Sequence, residues 1–228
     1  MDEHYLLQGK RAPKSVYYLA EFLDAALEAR LLDCISESPK PKWEQLGGRR
    51  LQNWGGIVGK KGSLIKDAIP SWLTGAMELV APLFPDSNKP NHCLLNEYRP
   101  GQGIMPHTDG PAFHPLISTI SLGSHTLLDF YRPLKEDRSE SLGERWEGSL
   151  YLEPRSLVVI ADDLYEKHLH GINPLEADHI RVEPWNYGQC SVKPKLNERL
   201  PRDTRISLTI RNVPKVAANS LQSLIGKK

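Results

Sequence analysis

The chain has 228 residues, a formal net charge of +1 and three cysteines, Cys34, Cys93 and Cys190. This length suits one domain with its own core, and near-neutral charge does not by itself indicate a nucleic-acid binder. The cysteines are odd in number and widely spaced, which favours a reducing compartment. No apolar run approaches the roughly 20 residues of a membrane span, and the N-terminal residues do not resemble an export signal. We expect a protein of the cytoplasm and nucleus, and the oligomeric state stays open, with a monomer favoured.

The first third of the chain predicts helices beside short strands. Residues 16–22 predict a strand, and residues 23–38 predict a helix, with Asp24 placed favourably for the helix dipole. Apolar residues recur at the helical spacing within it: Leu23, Leu27, Leu31 and Ile35. Residues 42–67 predict one or two hairpins. Residues 69–83 predict a second helix that opens at Pro70 and is closed by Pro85.

A basic segment with interspersed aromatic residues lies between these two helices. Basic groups track phosphates and aromatic rings stack on bases, so the segment indicates a nucleic-acid contact. The candidate residues are Lys40, Lys42, Arg49, Arg50, Trp54, Lys60 and Lys61. The alternative interpretation is a solvated basic loop region with Trp43 and Trp54 in the core.

From residue 92 onward, short strands alternate with glycine and proline turns. The predicted strands cover residues 92–98, 104–107, 116–122, 125–131, 148–152, 156–160, 168–171 and 205–213. This pattern predicts a mainly β chain with flanking helices, built as a sandwich or jelly roll. Two insertions, residues 134–147 and 174–203, interrupt it, and loops of such length are usually functional or disordered.

A histidine and an aspartate two residues apart, His107 and Asp109, are the strongest chemical signal. On a β-strand such residues share one face, so their side chains would converge. One more imidazole would complete a two-histidine, one-carboxylate triad, the usual ligand set for non-haem Fe(II) with open positions. His170 is the best candidate, but His168 would face the same way on a strand, so spacing alone leaves both open. A His-x-Asp pair taken alone is more often a surface pair or a core histidine.

Residues 205–211 alternate strictly between polar and apolar, which predicts a strand. The residues that share its polar face are Arg205, Ser207, Thr209 and Arg211. A buried arginine can grip a carboxylate with two hydrogen bonds, and hydroxyls beside it can fix its orientation. Asn96 and Tyr98, also two apart, could offer an amide and a phenol to the same small acid. A surface strand with one solvated face would show the same alternation.

Taken in order, these residues resemble the AlkB family of 2-oxoglutarate-dependent oxygenases. The family pattern runs Asn-x-Tyr, Pro-Gly, His-x-Asp, a distal His and Arg-x5-Arg. Its counterparts here are Asn96, Tyr98, Pro100, Gly101, His107, Asp109, His170, Arg205 and Arg211. The resemblance covers most of the chain, from about residue 16 to residue 214. The family's His-Gly-Ile pattern favours His170 over His168 as the distal ligand.

The resemblance implies a double-stranded β-helix in one domain over residues 1–228, with a core at 91–214 and a helical, substrate-lid extension at 1–90. It implies Fe(II), 2-oxoglutarate and O2 as cofactors, with the iron held by His107, Asp109 and His170. The residues implied for 2-oxoglutarate are Asn96, Tyr98, Arg205, Ser207, Thr209 and Arg211, with Arg205 on the distal carboxylate. The implied reaction is oxidative demethylation of RNA or DNA, presented single-stranded or with the base flipped.

Some positions depart from the family pattern. Gly110 and Pro111 stand where repair-type members carry an acid for base recognition, and Ser207 replaces an asparagine. Both changes argue against direct repair of alkylated DNA. The long gap between His170 and Arg205 adds a loop that could act as a lid. Two alternatives keep the same pocket: a nucleic-acid-binding adaptor with weak or absent catalysis, and a protein hydroxylase or demethylase.

Overall fold

A computed structural model describes residues 6–7, 13–134 and 139–218 of the chain. Within these residues it contains fifteen strands and three α-helices. The strands are β1 (Val16–Leu19), β2 (Glu44–Leu46), β3 (Arg49–Trp54), β4 (Gly56–Val58), β5 (Leu64–Lys66), β6 (His92–Tyr98), β7 (Ile104–His107), β8 (Leu116–Leu122), β9 (Thr126–Tyr131), β10 (Trp146–Leu152), β11 (Leu157–Ala161), β12 (Leu169–Ile172), β13 (Ala177–His179), β14 (Arg199–Pro201) and β15 (Arg205–Arg211). The helices are α1 (Ala25–Ser36), α2 (Ser71–Val80) and α3 (Asp162–Lys167).

Two antiparallel sheets form the body of the protein. The major sheet has seven strands in the order β1-β11-β8-β15-β6-β3-β2, and the minor sheet has four in the order β10-β9-β12-β7. The prediction of a mainly β chain with flanking helices is confirmed. The facing sheets are the two layers of the predicted double-stranded β-helix.

The inner core lies between the two sheets. Val158 and Ile160 of the major sheet pack in one cluster with Leu128, Phe130 and Leu150 of the minor sheet. Because side chains alternate along a strand, the residues between them point the other way. Strand β11 is therefore apolar on both faces, as expected for a strand covered on both sides.

Helices α1 and α2 cover the outer face of the major sheet. Leu31 and Ile35 of α1 and Leu73 and Val80 of α2 pack against apolar residues of β6, β8 and β15. Helix α1 begins later than predicted because Asp24 is its N-cap, and its Oδ1 atom accepts a hydrogen bond of 2.7 Å from the backbone N–H of Leu27. Both predicted helices are present, and each is a few residues shorter than the sequence pattern indicated.

Strands from the first 90 residues belong to the same sheet as those of the later core. Strand β1 pairs with β11, and β3 pairs with β6. The prediction of a single domain with a separate lid extension at residues 1–90 stays a prediction. Among the described residues, none of the helices combines the length and apolar character needed to cross a bilayer.

The insertion at residues 174–203 is ordered into a small hairpin of its own. Strands β13 and β14 pair within it. The buried carboxylate of Asp178 accepts two hydrogen bonds from Arg202, at 2.6 and 2.9 Å, and Arg202 also donates to the carbonyl of Asn173 at 2.7 Å. The other predicted insertion covers residues 134–147, of which residues 135–138 lie outside the described residues. The last two residues of this insertion begin β10.

Replacing Asp24 with alanine should lower the free energy of unfolding by about 0.5–2 kcal/mol, because α1 loses its side-chain cap. Asp24→Asn should retain most of the stability, since the asparagine oxygen can accept the same hydrogen bond. Urea unfolding monitored by circular dichroism measures both. Equal stability of the alanine variant and the native chain would show that the cap contributes nothing.

Candidate metal and cosubstrate site

Three predicted ligands come together at one end of the minor sheet. Each of His107, Asp109 and His170 offers one ligand atom, and these atoms lie within 4.8 Å of one another. His107 is the last residue of β7 and pairs directly with His170 of β12, so that their ring centroids are 4.6 Å apart. Directly opposite residues in an antiparallel pair bring their side chains together. The cross-strand register therefore places both imidazoles in the same cluster.

Asp109 reaches this cluster by a different route from the one that the sequence suggested. Strand β7 ends at His107, so Asp109 lies beyond it and the shared face of a strand does not explain the convergence. Instead, Arg211 of β15 donates a hydrogen bond of 3.0 Å to Oδ1 of Asp109, while Oδ2 lies 3.4 Å from Nε2 of His170. An ion pair, rather than strand geometry, therefore positions the local chain at Asp109.

The turn after Asp109 explains one departure from the family pattern. Gly110 has a φ of +86°, which glycine adopts without strain. Its carbonyl accepts a hydrogen bond of 2.6 Å from the phenol of Tyr165 on α3. A residue with a side chain would be strained at this position, so the turn that holds Asp109 favours glycine.

The structure separates His168 from His170. Strand β12 begins at Leu169, so the expectation that both histidines share a strand face is wrong. His168 caps the end of α3, and its Nε2 atom lies 3.0 Å from a carboxylate oxygen of Glu147. His170 alone of the two joins the cluster.

Burial around His170 and a hydrogen bond at His107 favour metal binding by the two imidazoles. Burial lowers the pKa of His170 to about 4, against the opposing effect of Asp109, so this imidazole is neutral at physiological pH. Nδ1 of His107 lies 2.9 Å from the carbonyl oxygen of Met105. Because a carbonyl can only accept, Nδ1 carries the hydrogen and Nε2 is left free to bind an ion.

A cavity of about 500 Å³ between the sheets contains this cluster. All of the residues predicted for the cosubstrate also line it: Asn96, Tyr98, Arg205, Ser207, Thr209 and Arg211. They come from the inner face of two paired strands, with Arg205 opposite Tyr98 and Ser207 opposite Asn96. The alternation read from the sequence of β15 therefore describes the wall of a pocket.

Arg205 is the least satisfied charge in this cavity. It is 3% exposed, and its Nη2 donates a hydrogen bond of 2.8 Å to the hydroxyl of Ser121. Its Nε has no hydrogen-bond partner, and no carboxylate of the described residues lies within 4.0 Å of its guanidinium. Burial lowers the pKa of Arg205 to about 10, so it still carries its charge at neutral pH. A buried cation without a counter-charge is costly, and an anionic ligand would offset that cost.

The sequence interpretation missed several residues of the cavity. Thr119 of β8 lines it beside Thr209, its partner on β15, and Ser121, opposite Ser207, accepts the hydrogen bond from Arg205. The alternation of polar and apolar residues in β8 could have revealed them, but only with the strand pairing known. Arg49 also lines the cavity, although it was grouped with the nucleic-acid contacts.

The basic segment divides into paired and free cations. Arg50 makes two hydrogen bonds to Glu97, at 2.7 and 2.5 Å, and Lys42 pairs with Asp67 at 2.9 Å. The Trp54 ring packs edge-on against Trp72, with 6.1 Å between ring centroids. These contacts give Lys42, Arg50 and Trp54 structural partners.

Three of the four candidate lysines are exposed: Lys40, Lys60 and Lys61. Among the described residues, no carboxylate lies within salt-bridge distance of any of them. Lys60 and Lys61 sit at the tip of the β4–β5 hairpin. A methyl group added at Gly62 in that tip would lie 3.6 Å from Cβ of Ala112, so the hairpin packs against the chain that follows Asp109.

Comparison with known proteins agrees with this geometry. Residues 54–211 match the family described as the 2OG-Fe(II) oxygenase superfamily. The "Probable RNA/DNA demethylase ALKBH6" of Danio rerio is 44% identical over 99% of this chain and 95% of its own length. "Uncharacterized protein L905" of Acanthamoeba polyphaga mimivirus is 33% identical over 82% of this chain and 80% of its own. The solved structure of OsALKBH1 has the same fold, with a TM-score of 0.53 at 13% identity over 87% of this chain and 96% of that one.

These matches and the site define the class of the protein: it is an Fe(II)-dependent oxygenase that consumes 2-oxoglutarate. Within that class, the chain belongs to the AlkB family. It is an enzyme, and its cofactors are Fe(II), 2-oxoglutarate and O2, as the sequence predicted.

Replacing His170 with alanine should abolish stabilisation by Mn(II), because the ion loses one of its protein ligands. For the native chain, Mn(II) at a hundredfold excess over its dissociation constant should add about 2.7 kcal/mol of stability. Thermal unfolding with and without Mn(II) measures the difference. His168→Ala is the matched control and should respond to Mn(II) as the native chain does. An unchanged response in His170→Ala would contradict the assignment.

Proposed function

We propose that this chain removes methyl groups from RNA or DNA by oxidation, with Fe(II) held by His107, Asp109 and His170. One observation carries the proposal: the metal-binding cluster and the unpaired, buried guanidinium of Arg205 line the same cavity. A site for a divalent ion beside a site for a carboxylate is what a keto-diacid cosubstrate requires.

The polar wall of the cavity would hold 2-oxoglutarate. Arg205 supplies a fixed positive charge for the distal carboxylate. Tyr98, which carries a phenol, lies directly opposite Arg205 on the paired strand β6. Burial raises the pKa of Tyr98, so its hydroxyl stays protonated and can donate a hydrogen bond. Ser207 and Thr209 add hydroxyls along the same face. Arg211, paired with Asp109, contributes positive charge at the metal end.

When bound, ferrous iron with 2-oxoglutarate and O2 supplies the oxidation, yielding succinate and CO2 and hydroxylating an N-linked methyl group that then leaves as formaldehyde. The protein orients the reactants and excludes water. The apolar part of the cavity wall serves that purpose: Ile104, Leu128, Leu152, Val158, Ile160 and Ile172. No side chain is required as a general base in this scheme.

A nucleic-acid substrate is supported by the name of the Danio rerio relative and by the position of the free lysines. Lys60 and Lys61 lie on a hairpin that contacts the chain next to the metal cluster, where they could bind a phosphate backbone. A base must be flipped or single-stranded to reach the cavity. A monomeric state and a location in the cytoplasm and nucleus remain our predictions from the sequence.

Replacing Arg205 with alanine should raise the KM for 2-oxoglutarate strongly, since losing the charged partner of a desolvated carboxylate costs on the order of 2–5 kcal/mol. Arg205→Lys should recover part of the loss, because it keeps the charge without the two-pronged geometry. Succinate release at varied 2-oxoglutarate measures the effect. A KM close to the native value in the alanine variant would place the cosubstrate elsewhere.

The substrate class can be tested by incubating the iron-loaded protein with methylated single-stranded RNA, methylated single-stranded DNA and methylated histone peptides. We expect loss of methyl groups, by mass spectrometry, from one of the nucleic acids, with matching formaldehyde and succinate. His107→Ala is the inactive control. Demethylation or hydroxylation of the peptides alone would identify a protein oxygenase. Salt-sensitive oligonucleotide binding without stimulated succinate release would identify an adaptor.

A further inference from the structure

Arg49 makes one hydrogen bond inside the cavity, and it falls on a predicted cosubstrate residue. Its Nε donates to Oδ1 of Asn96 at 2.9 Å. Arg49 lies on β3, next to β6, which carries Asn96, and both side chains line the cavity. Asn96 is 5% exposed, so water contributes little to satisfying its amide.

The direction of this hydrogen bond determines which half of the amide is left for a ligand. A side-chain amide has an accepting oxygen and a donating NH2 group, and rotation by half a turn exchanges them. Arginine can only donate, so it holds the oxygen. The NH2 group of Asn96 then remains available, and it has no hydrogen-bond partner among the described residues. A carboxylate ligand accepts hydrogen bonds only, so this is the orientation that would bind it.

We propose that Arg49 is a positioning residue for the cosubstrate: it fixes the Asn96 amide with its NH2 group toward a carboxylate of 2-oxoglutarate. The inference rests on the proposed cosubstrate pocket and names a residue that the predicted set omitted. Without Arg49, the amide could turn its oxygen toward the carboxylate, where two acceptors would repel each other.

The backbone around Arg49 is anchored on two sides, which fixes the origin of its side chain. The Arg49 carbonyl accepts a hydrogen bond of 3.1 Å from Gln45 of β2. The neighbouring Gly48 carbonyl accepts one of 3.1 Å from the backbone N–H of Gly103, just before β7. Arg50, the next residue, is held by Glu97. The position of the Arg49 backbone is therefore determined by the fold and does not require a ligand.

The test is a double-mutant cycle on binding of 2-oxoglutarate to the full chain loaded with Mn(II), measured by calorimetry. The variants are Arg49→Ala, Asn96→Ala and the double variant, with Arg49→Lys as the conservative change. Arg30→Ala, which removes an exposed cation of α1, is the control for loss of charge. Thermal unfolding without ligands checks that each variant is folded.

We expect Arg49→Ala to weaken 2-oxoglutarate binding by roughly tenfold, the effect of one hydrogen bond to a charged group. Arg49→Lys should recover part of this, and Arg30→Ala should bind normally. The decisive result is the cycle: if Arg49 acts through Asn96, the double variant binds no more weakly than Asn96→Ala alone.

Unchanged binding in Arg49→Ala would overturn the inference and leave the proposed function intact. Additive losses in the double variant would also overturn it, since they would show that Arg49 contacts the ligand directly. Arg49→Ala and Arg49→Lys could instead weaken 2-oxoglutarate binding equally, with a lower unfolding temperature in both. That result would show that Arg49 has only a structural role and would overturn the inference. Failure of the native protein to bind 2-oxoglutarate with Mn(II) would overturn the proposed function together with this inference.

Discussion

The ion pair between Asp109 and Arg211 is the contact on which the site depends. It joins the chain beyond the last residue of β7, in the minor sheet, to β15 near the middle of the major sheet. Both side chains are largely buried, and the Arg211 guanidinium lies 4.0 Å from the centroid of the Phe113 ring. Removing one partner of a buried pair commonly costs about 3–5 kcal/mol, so this contact holds Asp109 in place beyond the end of the strand.

Because of this ion pair, the two oxygens of the Asp109 carboxylate have different neighbours. Arg211 takes Oδ1, and Oδ2 is turned toward His170. The Asp109 side chain is therefore oriented by the protein itself, with one oxygen beside the predicted ligand His170. Such preorganisation reduces what an incoming ion must reorder, in the way that outer partners orient ligands at metal sites in general.

Much of the fold and of the site was readable from the sequence. The alternation in β15 gave the strand and its polar face, because a period of two residues is a property of the strand itself. The motif around His107 gave the ligand types, and the family resemblance selected His170. These inferences needed only short-range geometry or a pattern already known.

The rest depended on contacts between distant parts of the chain. Asp109 is placed by Arg211, 102 residues away, and the Arg50 charge is matched by Glu97, 47 residues away. A run of basic residues therefore looked like one surface, although its members have separate partners. Arg49 belongs to the cavity for the same reason: the pairing of β3 with β6 sets its neighbours, and no local pattern encodes that pairing.

The pairing of His107 with His170 has a consequence for the stability of the protein. Among the described residues, strand β7 is an edge strand of the minor sheet and pairs with β12 alone, and Pro106 offers no backbone N–H for strand pairing. An ion bound by both imidazoles would link β7 to β12 and so stabilise this sheet edge. Bound metal would therefore support the fold at this strand as well as serve catalysis.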